Sequence, residues 1–329
     1  SSPVMETLVG TELCFPQLLN TSCRKKIRPH LETMLIYILL SSISLLTVAL
    51  NLLVIISISH FKQLQTPTNL LLLSLAVSDF FVGLIMIFQI MIIDGCWLLG
   101  DLMCSLWLIL LSIITSSSVG TMVLISVDRY VAICYPLHYF TVVKPVRIQV
   151  CVCLCWMFAV LFNGLLLKDN LQHPGRYNSC IGECVFEINH IANLFDLIVS
   201  FIFPITAIVI LYIRIFGVAV YQARAMRSHI AVVTMKVNAK KSEMKAARNL
   251  GVVVVVFLIC VLPYYCSALK SQNNLYTALS VTIVIWFFHF NSCLNPLIYA
   301  TLYPWFRKSI KVIVTLQILK PGSYQSNML

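Results

Sequence analysis

Seven apolar stretches run through this chain, near residues 33–59, 67–93, 101–134, 146–168, 190–216, 246–269 and 275–300. Each matches the roughly 20-residue helix that a hydrocarbon core about 30 Å thick requires. A barrel would show strands of about ten residues with alternating polarity, whereas these runs are long and nearly continuous. Helices satisfy every backbone polar group within one segment, which lipid demands. The pattern therefore predicts an all-α membrane protein, a seven-transmembrane helix bundle with a short amphipathic eighth helix. Apolar residues at 60% and charged residues at 11% argue against a water-soluble core. The expected organisation is an extracellular segment over 1–32, a bundle over 33–303, an amphipathic helix over 304–316 and a cytoplasmic tail over 317–329. The residues before the first span offer no short apolar signal, so that span is expected to direct insertion itself.

Charge sets the orientation. With the amino terminus outside, the inner junctions collect most of the 23 basic residues, among them Lys144, Arg147, Arg214, the group from Arg224 to Arg248, Arg307, Lys308 and Lys311. The formal net charge of +11 is then a positive-inside signature that suits anionic lipid, with no nucleic-acid surface implied. Arg24, Lys25, Lys26 and Arg28 point the other way. The sequon at Asn20, a candidate glycosylation site, and the nearby cysteines favour an oxidising exterior for that segment and override them. Cys14, Cys23, Cys96, Cys104, Cys180 and Cys184 all fall on expected outer segments, an even set whose pairing spacing does not fix.

Polar residues inside spans are costly and mark candidate sites. Asp79, Ser118, Asn291, Ser292 and Asn295 share a depth, joined by Asn51 on the first span. A carboxylate among hydroxyl and amide oxygens could hold a sodium ion, or could simply tie helices together. Asp128-Arg129-Tyr130 closes the third span, and the helix from Cys104 to Arg129 covers roughly 37 Å at about 1.5 Å per residue, a full crossing. Glu243, before the sixth span, is the expected inner partner of Arg129, a breakable pair between two helices. Beyond the seventh span, Pro304 starts a segment in which Trp305, Phe306, Ile310 and Ile313 oppose Arg307, Lys308 and Lys311, so it should lie along the membrane.

Together, Asn51, Leu75-Ala76-Val77-Ser78-Asp79, Asp128-Arg129-Tyr130, Trp156, Pro204, Tyr212, Phe257 with Pro263, and Asn295-Pro296-Leu297-Ile298-Tyr299 resemble the rhodopsin-like family of G-protein-coupled receptors across all seven spans. Leu13-Cys14-Phe15-Pro16 with Cys23, Gly95-Cys96-Trp97, Cys180-Ile181-Gly182-Glu183-Cys184 and Tyr303-Pro304-Trp305-Phe306-Arg307-Lys308 are similar to the trace amine-associated receptors, olfactory type. The resemblance implies a plasma-membrane receptor, not an enzyme, that responds to a small trace or volatile amine and activates a stimulatory or olfactory-type G protein to raise cAMP. It also implies pairing of Cys104 with Cys184, Cys14 with Cys180, and Cys23 with Cys96. No cofactor is expected beyond the candidate sodium ion.

Two departures from the family pattern matter. The position where most amine receptors carry the aspartate that meets the ligand ammonium is Leu111. Asp196, on the fifth span outward of Pro204, takes over the role by resemblance to those members that place their carboxylate there. Ser200 follows one turn inward, and Leu111, Ser112, Thr115, Tyr264, Tyr265, Trp286 and His289 complete the expected walls, the aromatic ones suited to a cation. Glu187 could supply a second carboxylate for a diamine. The second departure is Val261, where the family commonly has a ligand-responsive tryptophan. Activation is then expected to run through Pro204 and Phe257 to Tyr212, Tyr299 and the Arg129–Glu243 pair. An opsin needs a lysine in the seventh span, and none occurs between Lys270 and Lys308. The competing reading is a rhodopsin-like receptor for a non-amine ligand, or one that signals constitutively without a known ligand.

Overall fold

The computed structural model describes residues 11–185, 187–228, 249, 251–263 and 278–328. Its helices follow the apolar stretches: α1 is His30–His60, α2 Pro67–Asp94, α3 Asp101–Cys134, α4 Pro145–Leu166 and α5 His190–Tyr221. By length and composition all five are able to cross a membrane. They are followed by the described part of α6, Gly251–Pro263, then α7, Ala278–Leu302, and α8, Pro304–Val314. The remainder of the expected sixth span lies outside the described residues.

Local chemistry sets the boundaries. Pro67, Pro145 and Pro304 each stand in the first turn of a helix, where a missing N–H costs nothing. Thr66 caps α2 by accepting from the Asn69 N–H, and Asn189 caps α5 by accepting from that of Ala192 at 3.0 Å. Gly95 ends α2 with a φ of 75°, the left-handed stop that glycine adopts without strain. Two helices depart from regular winding. α2 tightens into a 3-10 turn at Met86–Phe88, and α5 widens into a π turn at Leu197–Ile202, immediately before Pro204. A proline removes one rung of the hydrogen-bond ladder, and the wider turn absorbs that loss.

The centre of the bundle is α3, which packs against α2, α4 and α5, while α1 and α7 close on α2. Only 11% of the most apolar window of α4 and of α5 is buried, against 61% for α2, so α4 and α5 turn broad faces to lipid. Leucine gains little on leaving lipid tails for a protein interior, so the bundle is held by close packing and polar contacts. One packed cluster, with Leu75, Met122, Ile125, Phe257, Tyr299 and Phe306, fills the half of the bundle toward Arg129. A second, with Leu40, Met86, Trp97, Trp107 and Ile114, fills the half toward Cys104.

Three disulfides join the segments at the Cys104 end: Cys104–Cys184, Cys14–Cys96 and Cys23–Cys180. The first agrees with the family resemblance. The other two correct it, since Cys14 was expected to pair with Cys180 and Cys23 with Cys96. Backbone pairing gives the reason. β1 (Thr11–Leu13) and β2 (Arg24–Lys26) form an antiparallel ribbon, and the chain just before β2 is sewn to the loop between α4 and α5. The Cys23 N–H donates to the Ile181 carbonyl at 2.9 Å, and the Ile181 N–H to that of Thr21 at 2.8 Å, which sets Cys23 beside Cys180. Cys14, on the partner strand's end, lies against Gly95, next to Cys96. Gly182 permits the crossing, because its φ of 100° suits glycine and a Cβ there would meet Cys14 and Phe15.

Two of the four basic residues that argued against the chosen orientation are engaged at this end. Lys25 pairs with Glu12 at 3.3 Å, and Arg28 donates to the Ile93 carbonyl at 2.9 Å. They are consumed by cap structure. Residues 317–328, within the expected tail, fold back in two 3-10 turns. Ser323 bonds His60 at 2.9 Å, the Met328 N–H donates to Gln63 Oε1 at 3.1 Å, and Met328 is buried against Ser309.

Candidate ligand pocket and the polar cluster beneath it

Below the disulfide cap, α2, α3, α4, α5, α7 and the loop after Cys184 enclose a cavity of about 330 Å³. Five residues singled out in the sequence line it from α3 and α5: Leu111, Ser112, Thr115, Asp196 and Ser200. His289 reaches it from α7 and is buried. Ser200 Oγ donates to Asp196 Oδ1 at 2.7 Å, the contact that a separation of four residues allows on one helix face. Asp196 is the single acidic residue among the described lining residues, and no described basic residue pairs with it. Arg176, a conceivable partner, is bonded to Asp169 at 3.2 Å in the loop above.

Glu187 does not line this cavity. Its backbone is clamped to Asn170, whose Nδ2 donates to the Glu187 carbonyl at 3.0 Å, and it lines a neighbouring hollow with Lys168, Asp169 and Tyr177. The expectation of a second pocket carboxylate is thereby corrected. Tyr264 and Tyr265 lie outside the described residues, as does the side chain of Trp286.

Several lining residues escaped the sequence reading: Gln89 on α2, Trp107 and Ser116 on α3, and Asn163 on α4. Asn163 is buried and spends both N–H groups, on Ser116 Oγ at 3.0 Å and on the Ala159 carbonyl at 2.8 Å. The signal was available, because Gln89 and Asn163 are polar residues within spans, the criterion that singled out Asp79.

Closer to the middle of the bundle, Asp79, Ser118, Asn291, Ser292 and Asn295 are all buried, with Asn51 beside them. Asn295 Nδ2 donates to Asp79 Oδ2 at 2.8 Å, and Asn51 Nδ2 donates to the Ser292 carbonyl at 3.0 Å, so α1, α2 and α7 are tied together here. Four oxygens in this cluster make no hydrogen bond among the described residues: Asp79 Oδ1, Asn51 Oδ1, Asn291 Oδ1 and Asn295 Oδ1. Buried acceptors without donors are what a small hard cation would satisfy.

The chain matches the family model for the 7 transmembrane receptor (rhodopsin family) over residues 50–299. It is 37% identical to trace amine-associated receptor 13c of Danio rerio, over 97% of this chain and 96% of that protein. It is 36% identical to trace amine-associated receptor 6 of Pan troglodytes, over 98% and 96%, and 36% identical to trace amine-associated receptor 9 of Rattus norvegicus, over 96% and 97%. The chain belongs to the trace amine-associated receptors, within the rhodopsin family. It is a multi-pass membrane receptor and not an enzyme.

At the far end of this receptor, Arg129 Nε donates to Asp128 Oδ2 at 3.0 Å, and Arg129 also bonds Thr68 at the start of α2. Thr68 and Tyr139, the latter in the short helix Pro136–Val142, each donate to Asp128 at 3.0 Å. Glu243, the expected partner of Arg129, lies outside the described residues. The receptor's Pro204 and Phe257 are buried, and the hydroxyls of Tyr212 and Tyr299 are buried without a hydrogen bond among the described residues. Such hydroxyls are ready to take new partners if the helices shift. Trp305 and Phe306 of α8 pack beside Tyr303 and Tyr299, so that end of the amphipathic face is spent on the bundle.

Proposed function

We propose that this receptor binds a small trace or volatile amine whose ammonium pairs with Asp196, and that it signals through a stimulatory or olfactory-type G protein to raise cAMP. The observation that carries the reading is the acid in the cavity. A part-buried carboxylate with one serine for a partner, and with no lysine or arginine among the described lining residues, is incomplete without a cation. A charge-assisted bond there contributes about 1.5–3 kcal/mol. Leu111, Leu108 and Ile92 offer the amine's carbon skeleton an apolar wall. The names of the relatives, which tie those receptors to trace amines, lend support.

In this reading the disulfide end faces outside at the plasma membrane, with the exposed Asn20 glycosylated, and the Arg129 end meets the G protein and anionic lipid. The agonist acts by population shift, favouring an open inner arrangement by its difference in affinity for the two states. Asp196 sits directly before the π turn of α5, so a ligand drawing on it biases the segment that leads to Pro204 and the Phe257 cluster. Asp79, Ser118, Asn291, Ser292 and Asn295 would hold a sodium ion, whose positive charge would satisfy the unbonded oxygens of that cluster.

The test is cAMP production by the parent chain and Asp196→Ala, at matched surface expression, across primary, tertiary and di-amines. Loss of an amine response in the variant is the expected result. A parent response left intact in the variant places the ammonium elsewhere, and silence in both supports a non-amine ligand or another G protein.

A further inference from the structure

The ammonium reading leaves a second polar group of the cavity unused. Gln89 opens the segment Gln89–Asp94 at the end of α2, just past the 3-10 turn, and lines the cavity beside Ile92. It is 5% exposed, yet its carboxamide makes no hydrogen bond among the described residues. A primary amide carries two donors and a carbonyl acceptor, and interiors almost always pair such groups. Trp107, its neighbour in the wall, directs its own N–H to the Ile85 carbonyl at 3.4 Å and offers Gln89 nothing.

Placement gives the unpaired amide its meaning. α3 packs between α2 and α5, and its residues Leu108, Leu111, Ser112 and Thr115 form the wall that separates Gln89 from Asp196. The cavity thus has an anionic pole on α5, a neutral hydrogen-bonding pole on α2 and between them a wall along α3 in which Leu108 and Leu111 stand with Thr115 and with Ser112, whose hydroxyl donates to the Leu108 carbonyl at 2.9 Å. We propose that Gln89 determines specificity by selecting amines that carry a neutral hydrogen-bonding group, such as a hydroxyl, at the end remote from the ammonium. This rests on the pairing of the ammonium with Asp196. A second ammonium is disfavoured at the α2 pole, because a carboxamide does not neutralise it and Glu187 lines the other hollow.

Binding is measured on the full-length receptor in lipid nanodiscs, as the ligand-induced shift in thermal unfolding, with matched series of unbranched alkylamines, amino alcohols and diamines. The parent is expected to bind the best amino alcohol about three- to tenfold tighter than the alkylamine of the same length, the worth of one net hydrogen bond. Gln89→Leu abolishes that ratio and leaves the alkylamine unchanged. Gln89→Glu, which restores a polar group of the same size, shifts preference to the diamine. Asp196→Ala weakens all three classes together and preserves the ratio. If the ratio survives Gln89→Leu, or if that variant weakens alkylamine and amino alcohol alike, the role of Gln89 is overturned while the Asp196 anchor stands. If Asp196→Ala binds as the parent does and Gln89→Leu still loses the ratio, the anchor is wrong and Gln89 stands. Failure of the parent to bind any of the three classes overturns both.

Discussion

The two ends of the bundle are held by different forces. At the disulfide end, three covalent links, a two-stranded ribbon and the backbone bonds around Ile181 fix the amino-terminal segment, the top of α2 and the loop before α5 to one another. At the Arg129 end, the described residues carry no disulfide, and α2, α3 and the short helix after it meet through Arg129, Asp128, Thr68 and Tyr139. Covalent links return a structure to one arrangement after any excursion, whereas hydrogen bonds of about 0.5–1.5 kcal/mol each can be exchanged for others. The receptor is stiff where it would recognise a ligand and adjustable where it would change shape.

The contrast can be broken most severely at the cap. Replacing Cys23 and Cys180 together by serine is expected to cost about 2–4 kcal/mol of stability, seen as a lower unfolding temperature, and the same holds for Cys14 with Cys96. Cross-pairs such as Cys14 with Cys180 break two links and are expected to cost more. The reverse order, with the Cys14 and Cys180 pair costing less than Cys23 and Cys180, would return the pairing to the arrangement implied by family resemblance. Next in size is the pocket: Asp196→Asn, which keeps a hydrogen bond to Ser200 but removes the charge, is expected to lower amine potency by about 1.5–3 kcal/mol, roughly tenfold or more in cAMP dose-response. A smaller effect belongs to the far end. Tyr139→Phe removes one bond to Asp128, and Thr68→Val removes one to Asp128 and one from Arg129, about 0.5–1.5 kcal/mol for each bond, and both are expected to raise basal cAMP without altering amine affinity. Reduced affinity in either variant would mean that the two ends are not mechanically separate. Phe257→Ala, between the ends, is expected to weaken signalling while sparing binding.

The smallest effect is a matter of pH. A hydrogen bond from Tyr177 and the nearby Arg176 hold the Asp169 carboxyl below its usual range. A lowered value stabilises the folded loop above the ordinary carboxylate pKa and loses that contribution as pH falls through the folded value. The protection of the amides around Asp169 and Tyr177, taken relative to their intrinsic exchange rates at each pH, should fall on acidification. Because the pair is exposed, the bundle itself is not expected to respond.

What could be read from the sequence follows the physics of each level. Helices were legible because lipid requires uninterrupted apolar runs, and the observed bounds of α1 to α5 fall within a few residues of those expected. Asp196 was singled out by family resemblance, and Ser200 beside it was legible because a helix repeats its face every three to four residues, a spacing that survives the local π turn. The pairing of Cys14 and Cys23 was not legible, since it depends on which strand of a short ribbon lies beside Ile181, and that contact is set by backbone hydrogen bonds between distant segments. The placement of Glu187 failed for the same reason, because Asn170 decides it. Gln89 and Asn163 were visible in the text as polar residues within apolar runs. Their convergence on one cavity needed three helices in place.

The disulfide connectivity also orders the assembly of the chain in time. Cys14 and Cys23 emerge first during synthesis, but they are 82 and 157 residues from their partners. Cys96 arrives after two helices have crossed, and Cys180 only after four. Cys14 can close on Cys96 once two helices are in place, but Cys23 cannot be locked until more than half of the 329 residues have been made, and until then it travels with an unpaired thiol. Closure of the cap becomes a late mark of correct insertion, one that a quality-control machinery sensitive to free thiols could read before the receptor is released to the cell surface.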